Sequence, residues 1–164
     1  MKVVISAAGT GGHINPGIVI ANKIKERYHD AEIVFFGTNR GLEIDLVPRA
    51  GYKLKTIEAY GIQKEINFTN IKNLVKTYFS RKDVAKFFDE FKPDIVLGVG
   101  GYITSPVIYS AKKLGYKTLI HEQNSIPKKS NKFLSRYANI IAVSLPGSVN
   151  YFNKKKTYLT GNPR

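Results

Sequence analysis

The sequence predicts an α/β fold with a doubly wound, mostly parallel sheet of about seven strands. Short runs of β-branched and other apolar residues alternate with amphipathic helical stretches from the N-terminus onward. Clusters of glycine or polar residues follow several of these runs, where an open α/β sheet binds its ligands. At 164 residues the chain is long enough for one domain with a substantial core.

The first predicted strand, Val3–Ile5, runs into a turn with three glycines and a histidine, at positions 6–16. Asn15 and Pro16 are predicted as the N-cap and first residue of the following helix. Free amides at a helix start, together with its partial positive charge, bind anions. The sequence therefore predicts an anion site with His13 beside it.

The other elements follow the same alternation. Strands are predicted at Ile33–Phe36, near Lys53–Ile57, and at Ile95–Leu97, Lys117–Ile120, Ile140–Val143 and Thr157–Leu159. Helices are predicted from Pro16 to Tyr28, from about Gly41 to Arg49, from a Thr69 cap to about Phe79, from Asp83 to Phe91, and after Ser105 and Pro106. Glu58–Glu65 has no clear period and is predicted to be a loop.

A second glycine turn has the same design as the first. Gly98–Tyr102 follows a strand and precedes Ser105 and Pro106, a second pairing of a capping residue with proline. The cluster His121–Asn124 ends the next strand. Parallel strands place these clusters along one edge of the sheet, together with the first turn.

Composition limits the classes of partner. The net charge is +14 and the pI is near 9.9, which favours an anionic partner: nucleic acid, an anionic membrane surface or a phosphorylated substrate. No recognised nucleic-acid motif or aromatic stacking platform supports the first, and no nucleic-acid partner is expected. Cysteine is absent, which is compatible with a reducing cytosol. No run approaches the roughly 20 apolar residues of a membrane span, so membrane contact is expected to be peripheral.

The first turn does not match the common nucleotide-binding loops. A dinucleotide fold has a third glycine where this chain has Ile14, and an acidic residue at the end of the second strand, where this chain has Gly37 and Thr38. A P-loop has Gly-Lys-Ser or Gly-Lys-Thr where this chain has Gly12-His13-Ile14. Both interpretations are disfavoured.

Five motifs in order along the chain resemble the MurG-like glycosyltransferases. They are Gly-Thr-Gly-Gly-His-Ile-Asn-Pro at 9–16, Gly-Thr-Asn-Arg-Gly-Leu-Glu at 37–43, Gly-Gly-Tyr at 100–102, His-Glu-Gln-Asn at 121–124 and Gly-Asn-Pro-Arg at 161–164. The resemblance implies an inverting enzyme of the GT-B fold. Such an enzyme transfers N-acetylglucosamine from UDP-N-acetylglucosamine to lipid I and gives lipid II, in the peptidoglycan synthesis that supports cell shape and division.

The resemblance also implies roles for residues. His13 is the expected catalytic base, because its ordinary pKa suits proton transfer near neutral pH; the alternative is that it only bonds backbone at the helix start. The expected substrate-binding residues are Thr10, Gly11, Gly12, Gly100, Gly101, Tyr102, Glu122, Asn124 and Arg164. The glycines are also explained by tight turns alone, and His121 and Glu122 by support of their neighbours. No cofactor is implied, and no Asp-x-Asp pair or histidine spacing indicates a metal site.

The resemblance covers one of two domains. It implies that residues 1–160 form the acceptor-side Rossmann-like domain and that 161–164 begin the linker to a missing C-terminal domain, which holds most donor contacts. We therefore expect the isolated chain to be inactive. The alternative from another class is a non-catalytic, membrane-recruiting subunit of a split GT-B enzyme.

One predicted helix combines apolar and basic residues in a way that suits an anionic membrane interface. Its residues are Ile71, Leu74, Val75, Tyr78, Phe79, Lys72, Lys76, Arg81 and Lys82. The alternative is an ordinary core-facing helix. The basic tract from Lys128 to Arg136 is a possible extension of this surface. The lipid-linked acceptor that the resemblance implies, together with this pattern, leads us to expect a peripheral protein at the cytoplasmic face of the bacterial membrane.

Overall fold

A computed structural model describes residues 1–61 and 67–163, and they form a seven-stranded sheet in which every strand pair is parallel. The strands are β1 (Lys2–Ala7), β2 (Glu32–Gly37), β3 (Lys53–Thr56), β4 (Ile95–Gly100), β5 (Lys117–Glu122), β6 (Ile140–Val143) and β7 (Thr157–Leu159). The helices are α1 (Gly11–Arg27), α2 (Glu43–Arg49), α3 (Phe68–Phe91), α4 (Thr104–Lys113), α5 (Lys129–Leu134) and α6 (Pro146–Val149), with a short 3-10 helix at Lys154–Lys156. The predicted fold class and strand positions are confirmed.

The strand order is β3-β2-β1-β4-β5-β6-β7. The chain therefore moves outward from β1 in one direction and from β4 in the other. β1 and β4 lie side by side at the point where the direction reverses, with Val4 paired with both Val34 and Val96. In open α/β sheets, ligands bind at this point, beyond the carboxyl ends of the two central strands.

Two separate cores cover the two faces of the sheet. One contains Phe36, Phe88, Ile108 and Leu134 and lies beneath α3, α4 and α5. The other contains Ile5, Ile14, Phe35 and Val47 and lies beneath α1 and α2. The strands bury residues on both faces, which explains why their sequences are continuous apolar runs.

The prediction that α1 begins at Pro16 is wrong. Thr10 is the N-cap, with an extended backbone, and its carbonyl accepts from the amides of His13 and Ile14 at 3.0 and 3.2 Å. Pro16 lies in the second turn, where the hydrogen bond it removes is the one to the carbonyl of Gly12, an exposed residue. Likewise α4 begins at Thr104, so Ser105 and Pro106 lie inside its first turn.

The two helices predicted between residues 69 and 91 are one helix. Asn67, not Thr69, is the N-cap of α3, and its side chain accepts from the Asn70 amide at 2.8 Å. No glycine or proline interrupts residues 68–91, and Ser80 donates to the Thr77 carbonyl without breaking the helix. The predicted loop at Glu58–Glu65 has no regular structure over 58–61; its remainder lies outside the described residues.

Candidate functional site

The two glycine turns meet at the centre of the sheet edge. β1 and β4 are neighbours, and the Ala8 amide donates to the Gly100 carbonyl at 3.2 Å. Gly101 has a φ of +89°, and a β-carbon there would lie 2.6 Å from the Ala8 carbonyl oxygen. A β-carbon at Gly100 would overlap the ring of His13. Only glycine lets these two turns and the imidazole approach each other so closely.

The first turn of α1 presents free backbone donors. Among the described residues, the amides of Thr10, Gly11 and Gly12 donate no hydrogen bond. Thr10 and Gly12 are exposed. The three amides stand at the positive end of a 17-residue helix, so this turn can bind an anion such as a diphosphate.

His13 is held as a neutral imidazole with a defined tautomer. Its Nδ1 lies 3.2 Å from the Ala8 carbonyl oxygen, which can only accept, so Nδ1 carries the proton. Its Nε2 lies 3.1 Å from the Lys128 ammonium, which can only donate, so Nε2 carries the lone pair. Burial and then the Lys128 charge lower the pKa of His13, against the opposing effects of the Ala8 carbonyl and Glu122. At neutral pH this nitrogen can accept a proton.

Glu122 organises the loop after β5. Its side chain is fully buried, and one carboxylate oxygen accepts from the Asn124 backbone and side-chain nitrogens at 2.9 and 2.7 Å. The other accepts from the Lys128 amide at 3.2 Å and from the Asn131 side chain at 2.8 Å. These four hydrogen bonds engage both carboxylate oxygens of Glu122 and hold the loop, while Asn124 is exposed at the rim.

His121 lies beneath the surface. It is 2 % exposed, its Nε2 lies 3.2 Å from the Ser144 hydroxyl and 3.5 Å from the Gly161 carbonyl, and its Nδ1 has no hydrogen-bond partner among the described residues. Burial lowers the pKa of His121, opposed by the Gly161 carbonyl and Glu122. His121, on β5, therefore contacts both Ser144, which follows β6, and Gly161, which follows β7.

A second buried carboxylate fixes the first glycine turn from the other side. Glu43, at the start of α2, is fully buried and accepts from the Gly9 amide at 2.9 Å and from the amide and hydroxyl of Thr38 at 2.8 and 2.7 Å. Burial by itself would raise the pKa of Glu43, but the hydrogen bonds from Gly9 and Thr38 outweigh it and leave that pKa below its usual value.

The remaining predicted substrate residues are Tyr102 and Arg164. Tyr102 is 67 % exposed, and its ring lies against the backbone of Gly61. Arg164 lies outside the described residues. The structure therefore brings Thr10, Gly11, Gly12, His13, Gly100 and Gly101 together, with Asn124 on the neighbouring loop.

The predicted membrane-contact residues form a separate surface, which we call the α3 surface. The apolar members, Ile71, Leu74, Val75, Tyr78 and Phe79, are 42 to 62 % exposed, and Phe68 beside them is 83 % exposed. The buried residues of the same half of α3 are Asn70 and Ser80, so its apolar side faces outward. The core-facing alternative holds only for the second half, through Val84 and Phe88.

A line of aromatic rings continues the α3 surface across α4 to α5. The Arg81 guanidinium lies 3.8 Å from the ring centre of Tyr78 and 4.6 Å from that of Tyr109. Tyr109 contacts Tyr137, which contacts Phe133, at centroid distances of 5.3 and 5.4 Å. An open groove of about 270 Å³ between α3 and α4 is lined by Tyr78 and Tyr109 and by the basic residues Arg81, Lys82 and Lys113. Within the described ranges, no helix is both long and apolar enough to cross a membrane.

Sequence reasoning missed three residues of the site. Glu43 was visible as the acidic end of the motif at 37–43, but its contact with Gly9 spans 34 residues. Gln123 donates to the Val99 carbonyl at 2.6 Å and ties the third cluster to β4. Lys128 belongs to the predicted basic tract, but its ammonium faces His13, which is 115 positions away in the chain.

Comparison with known proteins is consistent with this geometry. Residues 3–143 match the family model described as the glycosyltransferase family 28 N-terminal domain. The chain is 44% identical over 164 residues to the UDP-N-acetylglucosamine--N-acetylmuramyl-(pentapeptide) pyrophosphoryl-undecaprenol N-acetylglucosamine transferase of Halalkalibacterium halodurans, and 47% identical over 166 residues to that of Exiguobacterium sibiricum. Each alignment covers 100% of this chain and 45% of the relative, so the chain spans less than half of their length.

Solved structures agree on the fold. The crystal structure of Acinetobacter baumannii MurG superimposes with a TM-score of 0.81 at 25% identity, over 99% of this chain and 46% of that one. The UDP-GlcNAc 2-epimerase of Neisseria meningitidis, bound to UDP-GlcNAc, superimposes with a TM-score of 0.72 at 15% identity, over 99% of this chain and 47% of that one. The second likeness supports the fold alone.

Proposed function

Because the chain belongs to the glycosyltransferase family 28 N-terminal domains, we propose that it is the acceptor-side domain of an inverting N-acetylglucosaminyltransferase. The complete enzyme transfers N-acetylglucosamine from UDP-N-acetylglucosamine to lipid I and gives lipid II for peptidoglycan synthesis. The names of the curated relatives support this reaction. The observation that carries the proposal is the pair of glycine turns at the centre of the sheet edge, with a neutral imidazole beside free amides.

His13 serves as the base in this proposal. Its Nε2 takes the proton from the acceptor hydroxyl as that oxygen forms a bond to the sugar carbon, and UDP leaves with the electrons of the broken bond. The lowered pKa of His13 keeps the nitrogen unprotonated near pH 7. The carbonyl of Ala8 keeps the proton on Nδ1, so the ring accepts through Nε2.

The glycine turns bind the pyrophosphate of the acceptor. The amides of Thr10, Gly11 and Gly12 donate to it from α1, and the turn Gly100–Tyr102 faces it from β4. The side-chain nitrogen of Asn124 donates to Glu122, and its side-chain oxygen accepts no hydrogen bond from the described residues, so that oxygen can accept from a sugar hydroxyl or amide. Arg164 is assigned to the substrate by the family resemblance alone.

Donor binding belongs to the rest of the enzyme in this proposal. The chain matches only 45% of the length of its relatives, and the predicted start of the linker is at 161–164. We therefore expect these 164 residues to fold but not to transfer sugar. Formation of lipid II by the isolated chain would contradict this expectation.

The α3 surface provides the contact with the membrane that carries the acceptor. Exposed apolar side chains flanked by Lys72, Lys82 and Arg81 match an anionic interface, and the net charge of +14 has the matching sign. The ring line through Tyr109 to Phe133 extends this surface toward α5, whose lysines belong to the basic tract. In this proposal the protein acts at the cytoplasmic face of the membrane, as the family resemblance implies.

The substrate assignment is tested by titrating the chain with a short-chain lipid I analogue and, separately, with UDP-N-acetylglucosamine by calorimetry. We expect tighter binding of the lipid I analogue. Gly101→Ala should abolish it, because the β-carbon would press on the Ala8 carbonyl. Gly51→Ala is the matched control. Gly51 has a similar φ of +84° and lies at the opposite edge of the sheet, but a β-carbon there would meet no atom within 4 Å. Equal loss in both variants, or tighter binding of the donor, would contradict the assignment.

The membrane assignment is tested by co-sedimentation with phosphatidylglycerol vesicles. Replacing both Lys72 and Lys82 with glutamine should weaken binding roughly 30-fold, from about 1 kcal/mol per basic residue. The control replaces Lys23 and Lys25 on α1, which covers the other face of the sheet. If vesicle binding does not change with salt concentration or with anionic lipid content, the electrostatic contribution to membrane binding is refuted. Vesicle binding without lipid I binding would favour the membrane-recruiting subunit instead.

A further inference from the structure

The side chain of Lys128 contacts the proposed base, His13. Its ammonium lies 3.1 Å from the Nε2 atom of His13, although the two residues are 115 positions apart. Lys128 is exposed, and no carboxylate within the described residues forms an ion pair with its side chain. An ammonium that donates to a neutral imidazole retains its full positive charge, so it remains available to an anion.

The backbone of Lys128 is fixed while its side chain is not. Its amide donates to the buried carboxylate of Glu122 at 3.2 Å, and the same carboxylate holds Asn124 and Asn131. The Cα of Lys128 is therefore anchored beside the glycine turns. Its four-carbon side chain can rotate without moving the loop.

We propose that Lys128 positions His13 before the substrate binds and then moves onto the diphosphate of the substrate. This inference rests on the proposed function for the identity of the anion. Before binding, the ammonium donates to the Nε2 lone pair and fixes the orientation of the imidazole, whose ring lies beside Gly100. After binding, it joins the amides of Gly11 and Gly12 on the diphosphate and leaves Nε2 free for the acceptor hydroxyl.

The contact between Lys128 and His13 can be measured through the pKa of His13. Lys128 from the loop after β5 and Glu122 at the end of β5 are the charged groups that act on the imidazole in the described part of the chain, and Ala8 contributes a carbonyl. Lys128 opposes protonation of His13, whereas Glu122 and the carbonyl favour it. Removing the Lys128 charge should therefore raise the pKa of His13.

The experiment is an NMR titration of the imidazole nitrogens of His13 in the 164-residue chain, comparing Lys128→Met with Lys129→Met. Lys129 is the adjacent exposed lysine and the first residue of α5, so both variants lose one charge at neighbouring positions. We expect the Nδ1–H tautomer in the wild-type chain, and a higher His13 pKa with partial loss of that tautomer in Lys128→Met alone. Equal His13 pKa values in both variants would overturn the positioning role.

Binding of inorganic pyrophosphate tests the second step. Lys128→Met should bind it roughly fivefold more weakly than Lys129→Met, and Lys128→Arg should retain most of the affinity. Equal affinities in the two methionine variants would overturn the transfer of Lys128 to the anion. These readouts need no sugar transfer. If both hold while the lipid I analogue fails to bind, the proposed function fails and the role of Lys128 remains.

Discussion

Replacing Glu43 with glutamine tests how the first glycine turn is held. The carboxylate is fully buried and accepts three hydrogen bonds of 2.7 to 2.9 Å, from Gly9 and Thr38. The amide would keep one oxygen for Thr38 but direct an NH₂ group at the Gly9 amide, donor against donor. Hydrogen bonds to a charged group contribute about 1.5 to 3 kcal/mol each. We expect a loss of about 3 kcal/mol in the free energy of unfolding.

Urea denaturation followed by circular dichroism measures this loss. The expected value is a large fraction of the roughly 5 to 15 kcal/mol typical of a domain. Glu26→Gln is the matched control, because that carboxylate is 61% exposed in its ion pair with Lys23, and its loss should stay within about 0.5 kcal/mol.

The dependence on pH separates the charge of Glu43 from its shape. The pKa of Glu43 lies below its usual value in the folded chain, so its carboxylate stabilises the fold at any pH above about 4.3, the ordinary value for an unfolded chain. That contribution disappears as the pH falls further, through the lower pKa of the folded state. The difference between wild type and Glu43→Gln should therefore shrink in acid. A loss below about 1 kcal/mol at pH 7, or a gap that does not change with pH, would refute the reasoning.

Two further predictions concern α3 and the buried histidine. Asn67→Ala should lower the free energy of unfolding by about 1 kcal/mol because it removes the cap on the Asn70 amide, whereas Thr69→Ala, two residues after the cap, should cost far less; equal losses in urea denaturation would contradict this cap. The pKa of His121 is lowered by burial, so its neutral form stabilises the fold above about pH 6.5, and that contribution falls as the pH drops below this value. Wild type should therefore lose more stability than His121→Gln between pH 7 and pH 5, and parallel profiles in thermal unfolding would exclude this effect.

Local patterns in the sequence were sufficient for the strands and for most of the helices. Apolar runs such as Ile140–Val143 mark strands because parallel strands are buried on both faces. Helix starts were harder to predict. Asn15 with Pro16 has the residues of a cap, but Thr10 takes the extended backbone that accepts from His13 and Ile14. A short-range motif cannot decide between caps when tertiary packing of the same turn selects one of them.

The α3 surface shows a second limit of local patterns. Spacing alone allowed either a core face or a membrane face, since both place apolar residues three and four apart. Only packing against α4 and the sheet separates the buried Val84 and Phe88 from the exposed Leu74 and Tyr78.

The sequence by itself determined the alternation of strands and helices, the positions of the glycine turns and their place at the carboxyl ends of strands. Those features depend on residues close together in the chain. The tertiary structure alone decided that β1 and β4 are neighbours, that Glu43 holds Gly9, and that Lys128 faces His13. These contacts join residues 34 to 115 positions apart. They form because the strand order reverses between β1 and β4. The loops that follow strands distant in sequence therefore lie together at the carboxyl edge of the sheet.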